Sequence, residues 1–179
     1  MNATSASLLG LLDVCGGELT GGELVRTAQE RLGEFWTLTR SQVYRELAVL
    51  ERDGHVAPGT PGPRDARPYR VTPEGVAAYR AWMSGAPRAD TIRIPLLLTV
   101  AFGRLLPPDR YAAVLDAARE EHAQRLAGYR ALDERLEAEA ADAFARATLS
   151  FGLHYEEAVL RWFDALPTEV RRGVDPPRA

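Results

Sequence analysis

Apolar positions in the first half of the chain come in short helical clusters, each closed by glycine. Leu8, Leu9, Leu11 and Leu12 crowd residues 5–14 and predict a short, largely buried helix. Cys15-Gly16-Gly17 ends it, with Cys15 read as a small core residue. Leu24, Val25, Ala28 and Leu32 recur at helical spacing behind Thr20-Gly21-Gly22-Glu23. That tetrad is a capping box, in which the Thr hydroxyl and the Glu carboxylate each satisfy a backbone N–H of the other residue. Leu19 is placed as a hydrophobic staple and Gly33 as the stop. Val43, Leu47 and Leu50 form a third stripe behind a second capping box, Thr39-Arg40-Ser41-Gln42, and Gly54 sits where a left-handed residue ends a helix. Phe35 and Trp36, between the second and third helices, are large anchors for the turn.

The periodicity then changes. His55-Val56-Ala57 and Arg67 to Thr72 predict two short strands around a turn-rich tip, Pro58-Gly59-Thr60-Pro61-Gly62-Pro63, with Tyr69 and Val71 on one side and Arg70 on the other. Thr72-Pro73-Glu74-Gly75 restarts a helix whose stripe is Val76, Tyr79 and Met83, with Trp82 alongside. Residues 84–91 are a linker.

The second half is helical. Pro95 to Leu105 is short and apolar, and Leu106-Pro107-Pro108-Asp109 is a turn. One long amphipathic pattern follows: Tyr111, Leu115, Ala118, His122, Leu126, Tyr129, Leu132 and Leu136. A helix of about thirty residues spans about 45 Å, long enough to pack across a partner. A last helix, about Phe144 to Leu166, is apolar on two faces and therefore needs two neighbours. One neighbour is its own domain and the other a second subunit, which makes Phe151, Tyr155, Val159, Trp162 and Phe163 candidates for a dimer interface.

These elements predict a mainly α fold with a small β-hairpin wing. Residues 1–84 form an N-terminal winged helix-turn-helix, residues 92–167 a three-helix dimerisation domain, and residues 168–179 a flexible tail. The third helix carries the candidate chemistry. Its outer face holds Ser41, Arg45, Ala48, Val49 and Arg52, with Gln42 at its edge, and is basic and hydrogen-bonding near its N-terminus. Such a surface fits a DNA major groove; it also fits the solvated face of an ordinary helix. Ser41, Gln42 and Arg45 are candidates for base edges. Thr39, Arg40, Tyr44, Arg64 and Arg67 are candidates for phosphates or a minor groove.

Charge bears on this reading in both directions. The formal net charge is −3 over 179 residues, with a pI near 5.7, whereas a basic domain is the expected footprint of nucleic-acid binding. From Phe35 to Arg80, however, seven arginines stand against five acidic residues. All 22 basic residues are arginine, so P-loop and Schiff-base chemistry, which need lysine, are excluded. The three histidines, His55, His122 and His154, lack metal-ligand spacing, and a single cysteine builds no zinc motif. No cofactor, metal or catalytic constellation is expected, and the chain does not read as an enzyme. The longest apolar run, Ile94 to Gly103, is too short to span a bilayer. With one cysteine and no positive charge in the first twelve residues, the chain reads as cytoplasmic.

The order and spacing of several short motifs resemble the PadR-like transcriptional regulators. They are Leu9-Gly10-Leu11-Leu12, Phe35-Trp36, Ser41-Gln42-Val43-Tyr44, Leu47, Leu50-Glu51, Asp53-Gly54, Tyr69-Arg70-Val71-Thr72 and Gly75, followed by a helical second half with Leu106-Pro107-Pro108. The match covers roughly residues 8–166. It departs in helix two, at Gly22, where the family often has an aromatic, and at Arg45, where a proline is frequent. The resemblance implies a homodimer that binds double-stranded DNA at a pseudo-palindromic operator. It also implies a repressor released by a small, often aromatic or apolar, effector. Trp36, Trp82, Tyr111 and Tyr155 are the aromatics available for an effector pocket, and core packing is the competing use of each. Two other readings stay open: a winged-helix protein-interaction module that binds no DNA, and a multidrug-responsive regulator or activator.

Overall fold

The computed structural model describes residues 1–62, 66–86, 92–138 and 142–173, without the side chains of residues 34 and 35. Arg64, most of the 84–91 linker and the Phe35 anchor therefore lie outside the described residues or side chains. The chain divides into two compact units, Met1–Arg88 and Ala89–Ala179.

The first unit is a winged helix-turn-helix. Helix α1 (Ala3–Cys15) begins at Asn2, whose side chain accepts the Ser5 N–H, and ends at left-handed Gly16. A two-residue strand β1 (Leu19–Thr20) leads into α2 (Gly21–Leu32). A 3-10 turn, Gly33–Trp36, connects to α3 (Arg40–Arg52). Both predicted capping boxes are complete. Strands β2 (Val56–Pro58) and β3 (Pro68–Val71) form the wing, and α4 (Pro73–Met83) closes the unit. The antiparallel sheet has the order β1-β3-β2, with Val56 opposite Val71, Pro58 opposite Tyr69, and Leu19 opposite Tyr69 on the other edge. Leu19 thus acts as the third strand of the wing while it packs on the core.

The core sits where the three stripes meet: Leu8, Leu9, Leu12, Leu24, Ala28, Val43, Leu47 and Leu50, with Val56 and Tyr69 from the wing. Cys15 is exposed, contrary to its expected place in the core. The buried leucines of α1 end at Leu12, and its last turn projects past them until Gly16 reverses the chain.

Two junctions fix the wing against α3. Gly54, at φ 74°, lets its N–H reach the Glu51 carbonyl (3.1 Å) and the His55 N–H reach the Leu50 carbonyl (2.8 Å). This is the Schellman arrangement that satisfies the orphan carbonyls of a helix end. The His55 carbonyl then accepts the Thr72 N–H at 3.0 Å, and the Thr72 hydroxyl donates to the Gly54 carbonyl at 2.7 Å while capping α4.

The second unit holds α5 (Pro95–Ala101), a 3-10 turn (Gly103–Leu105), α6 (Pro108–Ala138), α7 (Ala143–Ala165) and α8 (Thr168–Arg172). All eight positions of the predicted α6 stripe are buried or half-buried. Tyr111, Leu115, Phe163 and Leu166 form the core, with Leu96, Val100, Val159, Trp162 and Val170 packed around it. The buried face of α7 runs Leu149, Gly152, Glu156 and Phe163. Glu156 is buried and ion-paired: it meets His122 and the Arg125 guanidinium (Nε to Oε1, 3.1 Å) from α6. Residues Thr168–Arg172, expected to begin a flexible tail, form a helix instead. Arg171 donates to the carbonyls of Leu166 and Asp164, Gly173 ends the helix in the left-handed region, and Val170 packs on the core.

Candidate nucleic-acid interface

Helix α3 is anchored by Val43, Leu47 and Leu50 on one side and leaves Ser41, Arg45, Ala48 and Arg52 exposed on the other. Its N-terminal turn is tied together by the capping box. The Thr39 N–H donates to Gln42 Oε1 at 2.9 Å, the Gln42 N–H donates to Thr39 Oγ1 at 3.2 Å, and Ser41 Oγ lies 3.2 Å from Thr39 Oγ1. Because the cap occupies the Gln42 carbonyl oxygen, the amide nitrogen is the group it has left to offer a base. A lone amide donor suits a guanine or thymine acceptor, whereas pairing both adenine groups needs oxygen and nitrogen together.

The remaining predicted residues separate by environment. Arg40 is exposed on the first turn. Tyr44 is 52% exposed, and its ring lies over Gly21 at the start of α2, where an added Cβ would come within 2.8 Å of ring carbons. Arg67 pairs across the wing with Glu51 of α3 at 3.3 Å and sits over the Tyr69 ring at 5.9 Å. An exposed pair of this kind contributes about 0–1 kcal/mol, so a phosphate can displace it at small cost.

Glu46 is the residue the sequence reading missed. It falls on the same stripe as Val43, Leu47 and Leu50 and is 7% exposed, so the helical spacing itself carried the signal. The Ser5 hydroxyl, then the Asn2 amide, hold its carboxyl below the ordinary value of 4.5, with Arg45 adding to them and burial opposing. A depressed folded value means that its stabilisation is complete above that ordinary value and is lost as pH falls through the lower, folded one. The first unit is therefore expected to lose stability below about pH 4.5, with Glu23, lowered by Thr20, contributing in the same direction. Thermal melts of wild type and Glu46→Gln across the acid range check this: the variant should show the shallower acid dependence.

The other predicted sets are partly redistributed. Of the pocket aromatics, Trp36 and Trp82 belong to the first unit and Tyr111 and Tyr155 to the second. Tyr111 is 1% exposed, enclosed by core residues and by Gly103 and Gly173, so it is a core residue and not a pocket wall. Trp82 is exposed, and Trp36 and Tyr155 are half-buried. Of the interface candidates, Phe163 is 4% exposed and packs edge-on against Trp162 within its own chain. Phe151 is 62% exposed; Tyr155 and Val159 are half-buried. Among the described residues no helix is long and apolar enough to cross a membrane.

Comparison with known proteins agrees with this architecture. The family model for the C-terminal region of virulence activator alpha matches residues 92–170. A probable transcriptional regulator of Mycobacterium tuberculosis is 24% identical over 172 residues, 86% of this chain and 91% of the relative. The negative transcriptional regulator PadR of Bacillus subtilis is 29% identical over 106 residues, 57% of each protein. The crystal structure of that PadR in complex with operator DNA has a TM-score of 0.79 at 23% identity, covering 92% of this chain and 96% of that one. Its complex with p-coumaric acid has a TM-score of 0.71 at 22% identity, covering 92% and 96%. The Vibrio cholerae virulence activator AphA has a TM-score of 0.71 at 22% identity, covering 94% and 96%. The fold, the motifs of α3 and the wing, and these relatives agree: in sequence and in fold the chain is similar to the PadR-like transcriptional regulators.

Proposed function

We propose that the protein is a cytoplasmic, homodimeric, sequence-specific DNA-binding regulator that acts as a repressor. The observation that carries the DNA reading is α3 itself: behind a doubly hydrogen-bonded N-terminal cap, Ser41 and Arg45 are exposed on one face, with half-buried Gln42 at its edge. The operator complex of B. subtilis PadR supports the same use of the fold. Ser41, Gln42 and Arg45 read base edges; Thr39, Arg40, Tyr44, Arg64 and Arg67 contact the backbone or a minor groove. Residues 1–84 act as the DNA-binding domain and 92–167 as the dimerisation and effector domain. Exposed apolar side chains of the second unit, Leu98, Phe102, Leu105, Phe144 and Phe151, favour burial against a second copy. In a dimer the two reading helices lie about 34 Å apart on a pseudo-palindrome.

Arg45→Ala is expected to cost about 1–3 kcal/mol on the cognate site and to relax its sequence preference. Titration against cognate and random duplexes decides: an equal loss on both removes Arg45 from base reading. A small aromatic effector is part of the proposal, supported by the p-coumaric acid complex of the B. subtilis protein. A panel of aromatic acids and drugs added to the same titration tests it, and release by a phenolic acid is the expected result. The acidic pI of 5.7 supports a second reading, a protein-interaction module that keeps the wing but binds no DNA. Absence of any shift with the DNA upstream of its own gene at low salt favours that module.

A further inference from the structure

The candidate base-reading arginine is not oriented by its helix alone. Its sequence neighbour Glu46 turns inward, and the two carboxylate oxygens have separate duties. Oε2 accepts from the Ser5 hydroxyl at 2.7 Å and from Asn2 Nδ2 at 3.0 Å. Asn2 is itself fixed, because its Oδ1 caps α1 by accepting the Ser5 N–H at 2.8 Å. Oε1 faces Arg45 Nε at 3.5 Å, while the Arg45 side chain is 68% exposed.

A carboxylate buried only to join α1 to α3 would carry an unneeded charge, since a neutral acceptor would serve Ser5 and Asn2 at lower desolvation cost. The charge becomes useful at its second oxygen. A guanidinium has five N–H donors in a rigid fork. An ion pair at Nε leaves the two terminal nitrogens to act as an end-on pair. Guanine offers two acceptors, N7 and O6, at matching separation in the major groove, and no other base does. An exposed arginine without such a brace reaches phosphates as readily as bases.

We propose that Glu46 is the positioning residue for Arg45, and that the braced arginine reads a guanine in each half-site. The chain of support runs from the first turn of α1, through Asn2 and Ser5, to the Glu46 carboxylate and then to the arginine fork. The proposal rests on the DNA-binding reading above.

The test uses the full chain and a duplex selected by the wild-type protein from a randomised pool. Binding of wild type, Arg45→Ala, Glu46→Gln and the double variant is measured on that duplex and on a random one. A third duplex carries 7-deazaguanine in place of the candidate guanine. Glu46→Gln keeps the shape and an acceptor for Ser5 but loses the charge that holds Nε. It should lose roughly 3–30-fold on the selected duplex, change less than about twofold on the random one, and add no further loss in the Arg45→Ala background. Wild type should lose affinity on the 7-deazaguanine duplex, and Arg45→Ala should not. Equal losses on selected and random DNA, or independent losses for Glu46→Gln and Arg45→Ala, would show a purely structural Glu46 and overturn the proposal. If Glu46→Gln folds poorly, Ser5→Ala leaves the carboxylate in place, removes one support, and should give a smaller loss with the same selectivity. Wild type that binds no duplex defeats the DNA-binding reading itself, whereas normal wild-type selectivity with an inert Glu46→Gln defeats only the brace.

Discussion

Replacing Gly75 by alanine is expected to destabilise the N-terminal unit by about 3–5 kcal/mol and to lower its Tm by more than about 10 °C. An added Cβ would stand 2.1 Å from the His55 carbonyl oxygen, which is backbone and cannot rotate aside. Relief requires the first turn of α4 to move away from the end of α3. That movement strains the Thr72 N–H bond to His55 and the Thr72 hydroxyl bond to Gly54. Overpacking contributes about 1–3 kcal/mol and each weakened hydrogen bond about 0.5–1.5 kcal/mol. At an unconstrained helical position alanine would instead stabilise by roughly 0.5–1 kcal/mol relative to glycine, so the sign of the change is diagnostic. A thermal melt of Gly75→Ala that matches or exceeds wild type would mean the junction is looser than the contacts imply.

The second large effect is expected at Tyr111. Its ring is the centre of the second core, and both Gly103 and Gly173 are so close that an added Cβ would lie 2.3 and 2.8 Å from ring carbons. Burial also raises the pKa of its phenol. Tyr111→Ala should destabilise the second unit by roughly 3–5 kcal/mol, the range for deleting a buried aromatic. Tyr111→Phe should cost far less, because it keeps the ring. If the second unit carries the dimer contacts, Tyr111→Ala should also shift the protein towards monomer in sedimentation. A fully stable Tyr111→Ala would reopen the pocket role. Deleting everything from Phe144 would be a poor test of dimerisation, because it removes Phe163 and Leu166, half of this core.

What could be read from the chain beforehand was set by local rules with few competitors. The capping boxes at Thr20 and Thr39, the Thr72 cap and the stop at Gly54 are short-range chemistry, and each forms as expected. The α6 stripe was legible for the same reason, since eight positions at one period admit one solution. Strand β1 was not, because two residues show no alternation and gain their identity from pairing with β3. Nor was the division of α7, where two apolar faces gave no local signal as to which one is covered by α6. Glu46 was legible in position but not in meaning. A carboxylate on an inner stripe makes sense only once Asn2 and Ser5, more than forty residues earlier, are brought to it.

The central claim is that α3 reads DNA through its exposed N-terminal face. The most direct test is a titration of the full chain against a selected duplex and a random duplex of equal length, at two salt concentrations. The expected result is a preference of at least about 10³-fold for the selected duplex at physiological salt, with affinity for both falling steeply as salt rises. Equal affinity for the two duplexes, or no binding to either at low salt, would contradict it.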